Sequence, residues 1–260
     1  MPNILDILRR LGLGSDAELA HIEQELDARL PKRERVRFDR ELERIYETPP
    51  KITLIGKTGV GKSKTINALF DPRPALRVGH IRATTKRPTQ RVVHLGGKRG
   101  RLVVAELPGL SESIRADREY LPLARHELQT ADVAIWILKA DDRALGDEQR
   151  LMKSVLTPKL RKRLVVGINQ IDELQPGRWM DEYNIPSVEQ EESINQKVRD
   201  VKRKLREIGI VPTRIVPYSA HRGYQLAYLF RVMLEACAPG KVWVVGSREA
   251  IAPYASPRLS

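Results

Sequence analysis

The chain has 260 residues, of which 41% are apolar, a formal net charge of +13 and a single cysteine. That length suits one large domain, or one domain with appendages, and no run of about 18 apolar residues is present, which excludes a membrane-spanning helix. Cys237 alone cannot form an internal disulfide, and the N-terminus lacks a basic-then-apolar leader pattern, so the expectation is a cytoplasmic location, with peripheral attachment at a membrane as the alternative.

Residues 3–12 carry Ile4, Leu5, Ile7, Leu8 and Leu11 at helical spacing. Ser15 and Glu18 form a capping-box pattern that opens a second helix to about Leu30, Pro31 interrupts, and a charged helix runs from about Arg33 to Tyr46. Pro49-Pro50 closes this N-terminal helical arm, residues 1–50. From Lys51 the pattern alternates. Ile52–Ile55 reads as a strand and Lys62–Phe70 as a helix. Arg91–Leu95 and Arg101–Ala105 read as two strands joined at Gly96-Gly97. A helix follows over Arg115–Gln129, with a break expected at Pro122, then a buried strand Asp132–Leu138, a helix Asp147–Leu156 and a second buried strand Leu164–Ile168. Residues 173–190 form an insertion holding Trp179, Tyr183 and Pro186. A long charged helix over 188–208, a last strand Ile215–Tyr218 and a closing helix Tyr224–Ala236 complete the pattern. Such alternation implies an α/β fold of three layers, with a mostly parallel central sheet, one antiparallel edge strand and helices on both faces, over residues 51–239. A C-terminal tail, 240–260, contains a weak strand at Val242–Val245.

Charge is uneven along the chain. Residues 71–101 hold nine basic residues, Arg73 to Arg101, against one acid. Such a block can attract phosphates, RNA or an anionic lipid surface, and it equally suits a solvated loop beside a polyanionic ligand.

The segment G-K-T-G-V-G-K-S, Gly56 to Ser63, sits between a predicted strand and a predicted helix. It fits the phosphate-binding P-loop pattern. Its glycines let the backbone curl so that successive N–H groups of Gly56, Lys57, Thr58, Gly59, Val60 and Gly61 face a phosphate, and the helix N-terminus that follows, with Lys64 in its first turn, adds partial positive charge. Lys62 can span two phosphates, and the Ser63 hydroxyl suits Mg²⁺, a hard ion that prefers oxygen. The segment N-Q-I-D, Asn169 to Asp172, follows the second buried strand. Guanine presents two N–H donors on its Watson–Crick edge, and an ionised carboxylate such as Asp172 accepts both, whereas adenine presents a mismatched edge. Asn169 can reach the ring and also tie this loop to the P-loop.

In these segments the chain resembles the Era-like branch of bacterial P-loop GTPases over about Lys51 to Pro239. The resemblance implies a P-loop NTPase fold with GTP and GDP as substrate and product and Mg²⁺ as cofactor. It places the switch I threonine in A-T-T-K, Ala83 to Lys86, with Thr85 preferred as Mg²⁺ ligand over Thr84. The switch II motif is E-L-P-G, Glu106 to Gly109, and the final motif is Ser219-Ala220, where the Ala220 N–H meets the guanine oxygen. Nucleotide contacts are thus expected from Gly56 to Lys64, Asn169, Gln170, Asp172, Ser219 and Ala220. The expected metal ligands are Ser63, Thr85 and Glu106, and the expected catalytic set is Lys62, Thr85 and Gly109.

Three departures stand out. Glu106 takes the place of an Asp, Gln170 that of a Lys, and Leu110 the position where Ras-type GTPases carry a water-orienting glutamine. A leucine cannot orient water, so slow intrinsic hydrolysis is expected, completed by an activating protein or a second copy of the chain. A GTP-dependent assembly module with little hydrolysis is the alternative. Asp141-Asp142-Arg143 is expected to be a strand-end turn, and the five histidines show no zinc-ligand spacing.

Overall fold

The structure is a computed structural model and describes residues 15–70, 88–95, 100–109, 114–237 and 241. The expected helix over 3–12, most of switch I with Thr84 and Thr85, the Gly96-Gly97 turn, Leu110 and nearly all of the tail lie outside the described residues.

Two helices precede the sheet. In α1 (Asp16–Arg29) the Ser15 hydroxyl accepts from the Glu18 N–H while the Glu18 carboxylate takes the Ser15 N–H, the reciprocal cap expected from the sequence. In α2 (Lys32–Glu47), Arg35 turns back to bind Asp27 of α1 at 2.7 Å and Asp39 at 3.1 Å, which pins the two helices together.

The body is a six-stranded sheet in the order β2-β3-β1-β4-β5-β8, where β1 is Lys51–Ile55, β2 Thr89–Leu95, β3 Gly100–Glu106, β4 Val133–Lys139, β5 Leu164–Asn169 and β8 Ile215–Pro217. All neighbours run parallel except β2 with β3, which pair antiparallel with Val92 opposite Val103. This is the sheet that the alternating pattern implied.

Strand alternation sorts the core into two layers. Ile52, Leu54, Ile135, Ile137 and Val165 face one side, where they meet Ile66, Leu69 and Phe70 of α3 (Lys62–Phe70) and Phe230 and Met233 of α8 (Leu226–Ala236). The Phe70 and Phe230 rings pack edge to face at 5.7 Å. Ile55, Ala134, Trp136, Leu138, Val166 and Ile168 face the other side. They meet Leu128 of α4 (Ile114–Gln129), Met152 of α5 (Gly146–Val155) and Val201 and Leu205 of α7 (Val188–Glu207). Because β1, β4 and β5 are covered on both faces, they read as nearly continuous apolar runs.

The structure differs from the sequence reading at three places. Helix α4 continues through Pro122 without a break; Pro122 is exposed, so its ring and missing donor face solvent rather than the sheet. A one-turn helix α6, Pro158–Arg161, capped by Thr157, precedes β5. The insertion, to which the sequence assigned no element, holds a minimal hairpin of β6 (Trp179–Met180) and β7 (Ile185–Pro186).

Tyr218, just past β8, links the first layer to α3. The Thr65 hydroxyl has one hydrogen, which it donates to the Gly61 carbonyl at 2.8 Å, so the buried Tyr218 hydroxyl donates to Thr65 Oγ1, also at 2.8 Å. Burial raises the Tyr218 pKa and keeps the phenol protonated. Tyr218→Phe should lower the unfolding free energy by about 1–2 kcal/mol, measured as a drop in the urea midpoint at unchanged slope.

Candidate functional site

Every expected binding segment that the structure describes lies at the C-terminal ends of the parallel strands, where α/β sheets bind ligands. After β1 the chain turns through Gly56–Gly61 into α3. Two glycines are required sterically. A Cβ on Gly56 would lie 2.4 Å from the Ile137 carbonyl of β4, and one on Gly61, where φ is +91°, would lie 2.4 Å from Asn169 Nδ2. Lys62 is buried and curls over the loop, its ammonium donating to the Gly56 and Lys57 carbonyls, both at 3.0 Å. Lys64 follows in the first turn of α3, half-buried.

Ser63 donates to Glu106 Oε1 at 2.6 Å. Glu106 ends β3 and is 3% exposed, and its other oxygen, Oε2, is buried without a hydrogen-bond partner. Burial pushes its pKa up, against the Ser63 hydrogen bond and the Lys62 charge, which pull it down. A hydroxyl and a carboxylate at contact distance, with one carboxylate oxygen unsatisfied, are hard oxygen donors that fit Mg²⁺. Leu107, next along, donates its N–H to the Leu54 carbonyl at 3.1 Å, and Gly109 abuts the P-loop: a Cβ there would lie 1.9 Å from Thr58 Oγ1 and 2.7 Å from the Thr58 backbone.

Asn169 ends β5 and is 1% exposed. Its Nδ2 donates to the Val60 carbonyl at 2.9 Å and its Oδ1 accepts the Ala220 N–H at 3.0 Å. The two partners fix the amide orientation, because a carbonyl needs a donor and an N–H needs an acceptor. The Ala220 N–H, expected to meet the guanine oxygen, is therefore engaged by Asn169 here. Gln170 has φ +65° and donates Nε2 to the Gly59 carbonyl at 3.3 Å, so its amide lies along the P-loop. Asp172 stands in a single 3-10 turn, Ile171–Glu173; its side chain is 5% exposed, and Oδ1 has no hydrogen-bond partner. Ser219 is buried and its hydroxyl accepts the Arg222 N–H at 3.0 Å.

Three contributing residues escaped the sequence reading. Gln190, fully buried in the first turn of α7, donates Nε2 to the Asp172 and Leu174 carbonyls at 3.1 and 3.0 Å, bracing the base-motif loop from behind. Glu148 of α5 pairs with Lys57 at 2.8 Å, and Asp142 approaches the same ammonium at 3.3 Å. Burial works against the Lys57 charge, but the Glu148 and Asp142 contacts outweigh it and leave its pKa raised; Glu148, 2% exposed, has its own pKa raised by burial despite the pair. Lys57 thus gives its side chain to carboxylates. Asp142 is part of the turn after β4, as expected of Asp141-Asp142-Arg143, and a cavity of about 450 Å³ lies there between Thr58, Val60 and Asp141. The third residue is Arg222, whose Nε lies 3.8 Å from Asp172 Oδ2. A basic residue two positions after Ser219-Ala220 was the available signal; for Gln190 there was none. Among the described residues no cluster of His, Cys, Asp and Glu forms a further metal site, and no helix is long and apolar enough to cross a membrane.

Residues 51–170 match the model of the family described as 50S ribosome-binding GTPase. Uncharacterized protein YfjP of Escherichia coli K12 is 32% identical over 162 residues, 62% of this chain and 54% of that protein. GTPase Der of Pseudothermotoga lettingae is 28% identical over 131 residues, 48% of this chain and 29% of that protein. Among solved structures, an Era variant from Aquifex aeolicus bound to GDP·AlF₄⁻ shares the fold with a TM-score of 0.56 at 22% identity, covering 72% of this chain and 56% of that one. The chain spans about half the length of the first curated relatives it matches. The family match thus falls on residues 51–170, the part of the chain that holds the P-loop and ends at Gln170, and the likeness to the Era structure is one of fold.

Asn169→Ala would leave the Val60 carbonyl and the Ala220 N–H buried without partners. We expect a loss of about 2–4 kcal/mol in unfolding free energy, read by chemical denaturation.

Proposed function

We propose that the chain is a GTP-binding and GTP-hydrolysing switch, converting GTP and water to GDP and phosphate. The observation that carries the reading is the buried Asp172 carboxylate with an unpartnered oxygen, in a loop that Asn169 ties directly to the phosphate-binding loop. A carboxylate so placed is an acceptor waiting for donors, and guanine supplies two.

In this reading the amides of Gly56 to Ser63 and the N-terminus of α3 cradle the phosphates, and Lys62, already folded over the loop, turns its ammonium from two carbonyls to phosphate oxygens. Ser63, Glu106 and Thr85 would hold Mg²⁺, which would supply positive charge beside the phosphates. The Gly109 N–H and Thr85 contact the γ-phosphate in the GTP state only, so its loss frees the loops around 71–89 and 107–120. Within this scheme residues 1–50 act as an arm, 51–239 as the nucleotide domain and 240–260 as a tail.

Hydrolysis is slow in the isolated chain, because Leu110 cannot orient water and Glu106, one methylene longer, stands in place of the resemblance's Asp. Completion comes from an activating protein or from pairing of two copies, and the basic block of 73–101 brings RNA or an anionic surface under nucleotide control. The second reading, an assembly module that binds GTP with little turnover, rests on the same two replacements, Glu106 and Leu110.

Two measurements test this. Asp172→Asn should weaken GDP binding by tenfold or more and shift preference toward XDP, whose 2-oxo group accepts from an asparagine amide. Turnover by the isolated chain should stay below about 1 s⁻¹ at 25 °C, and a faster rate would contradict the slow-switch reading.

A further inference from the structure

Arg222 is held from four directions. Its Nη1 bonds Asp181 Oδ1 at 2.5 Å, and its guanidinium stands 6.0 Å over the Trp179 ring. Its N–H goes to Ser219 Oγ, and its carbonyl accepts from Asn184 Nδ2 at 3.1 Å. Trp179, Asp181 and Asn184 all belong to the inserted β6–β7 hairpin. That hairpin is internally tied by Trp179 Nε1 donating to Asn184 Oδ1 at 3.1 Å, and it packs on the body through an edge-to-face contact of Trp179 with Tyr224 at 5.1 Å. At its base Gly177, φ +119°, passes so close to α7 that a Cβ would lie 2.5 Å from the Gln190 nitrogen.

The free end of this assembly is Arg222 Nε, facing Asp172 Oδ2 at 3.8 Å. At that distance there is charge attraction without a hydrogen bond, so neither Asp172 oxygen is used up. Gln190 fixes the Asp172 backbone from behind, and Arg222 acts on the side chain from the flank.

We propose that Arg222 is a positioning residue that sets guanine specificity: locked by the inserted hairpin, it holds the Asp172 carboxylate in the one orientation that accepts both guanine donors. This rests on the guanine reading above and assigns a role to the insertion, which serves the base site as a brace.

The discriminating probe is IDP, which lacks the 2-amino group and so offers Asp172 one donor. GDP and IDP affinities are measured by calorimetry on the full chain in magnesium buffer, for wild type, Arg222→Ala and Asp181→Ala, with thermal unfolding of each. Wild type should prefer GDP. Arg222→Ala should lose about tenfold for GDP and under about threefold for IDP, so that the GDP:IDP ratio shrinks. Asp181→Ala, a surface change that only loosens Arg222, should shift the ratio the same way by less. Equal weakening of both nucleotides, or a ratio that does not move, would make Arg222 merely structural and overturn the proposal. If Arg222→Ala loses cooperative unfolding, the Asp181→Ala ratio decides alone. Wild type that binds no GDP at all sinks the guanine reading itself, a result distinct from a wild type with normal preference and an unresponsive ratio.

Discussion

The architecture of the site depends on one buried amide. Asn169 joins Val60, 109 positions earlier, to Ala220, 51 positions later. Asn169 is the last residue of β5, and Val60 and Ala220 lie past the C-terminal ends of β1 and β8. Loops at strand ends have few partners of their own, and each would otherwise sample many conformations. One side chain with a donor and an acceptor on the same planar group restrains both neighbours at once. Gly61 must lack a side chain for that amide to reach the P-loop. The glycine spacing of the loop and the asparagine at the end of β5 are therefore one constraint expressed at two places in the sequence.

The sheet beneath supplies the rigidity this requires. Its two-sided burial leaves β1, β4 and β5 no freedom to slip in register, because a one-residue shift would exchange the residues of the two core layers. The polar thread from the Gly61 carbonyl through Thr65 to Tyr218 then ties the start of α3 to the far edge of the sheet. Loop and strand ends are thus fastened together above the core by Asn169 and within it by Tyr218.

The fold and the loops that gather at the candidate site were legible because their signals are local. Glycines at required approaches, a lysine and serine opening a helix, apolar runs of strand length and N-Q-I-D at a strand end all lie within short windows. What escaped was long-range. Nothing near Glu148 announces that its carboxylate meets Lys57, and nothing near Gln190 marks it as the brace behind Asp172; both are set by how α5 and α7 land on the sheet. The break at Pro122 failed for the opposite reason: a local rule was overridden because the proline occupies the solvent face of α4. The bond from the Ala220 N–H to Asn169 Oδ1 likewise joins residues 51 positions apart.

The Lys57–Glu148 ion pair carries a historical implication. A carboxylate that is 2% exposed tolerates its burial through the ammonium beside it. Were the lysine lost first, a carboxyl would be left in the interior without its cation; were the glutamate lost first, Lys57 would keep only the longer contacts to Asp142 and the Ala144 carbonyl, both at 3.3 Å. Neither single step is neutral, so descendants of this chain should keep the two residues or exchange them together, and an aligned set of such sequences would carry that memory as a linked pair of columns.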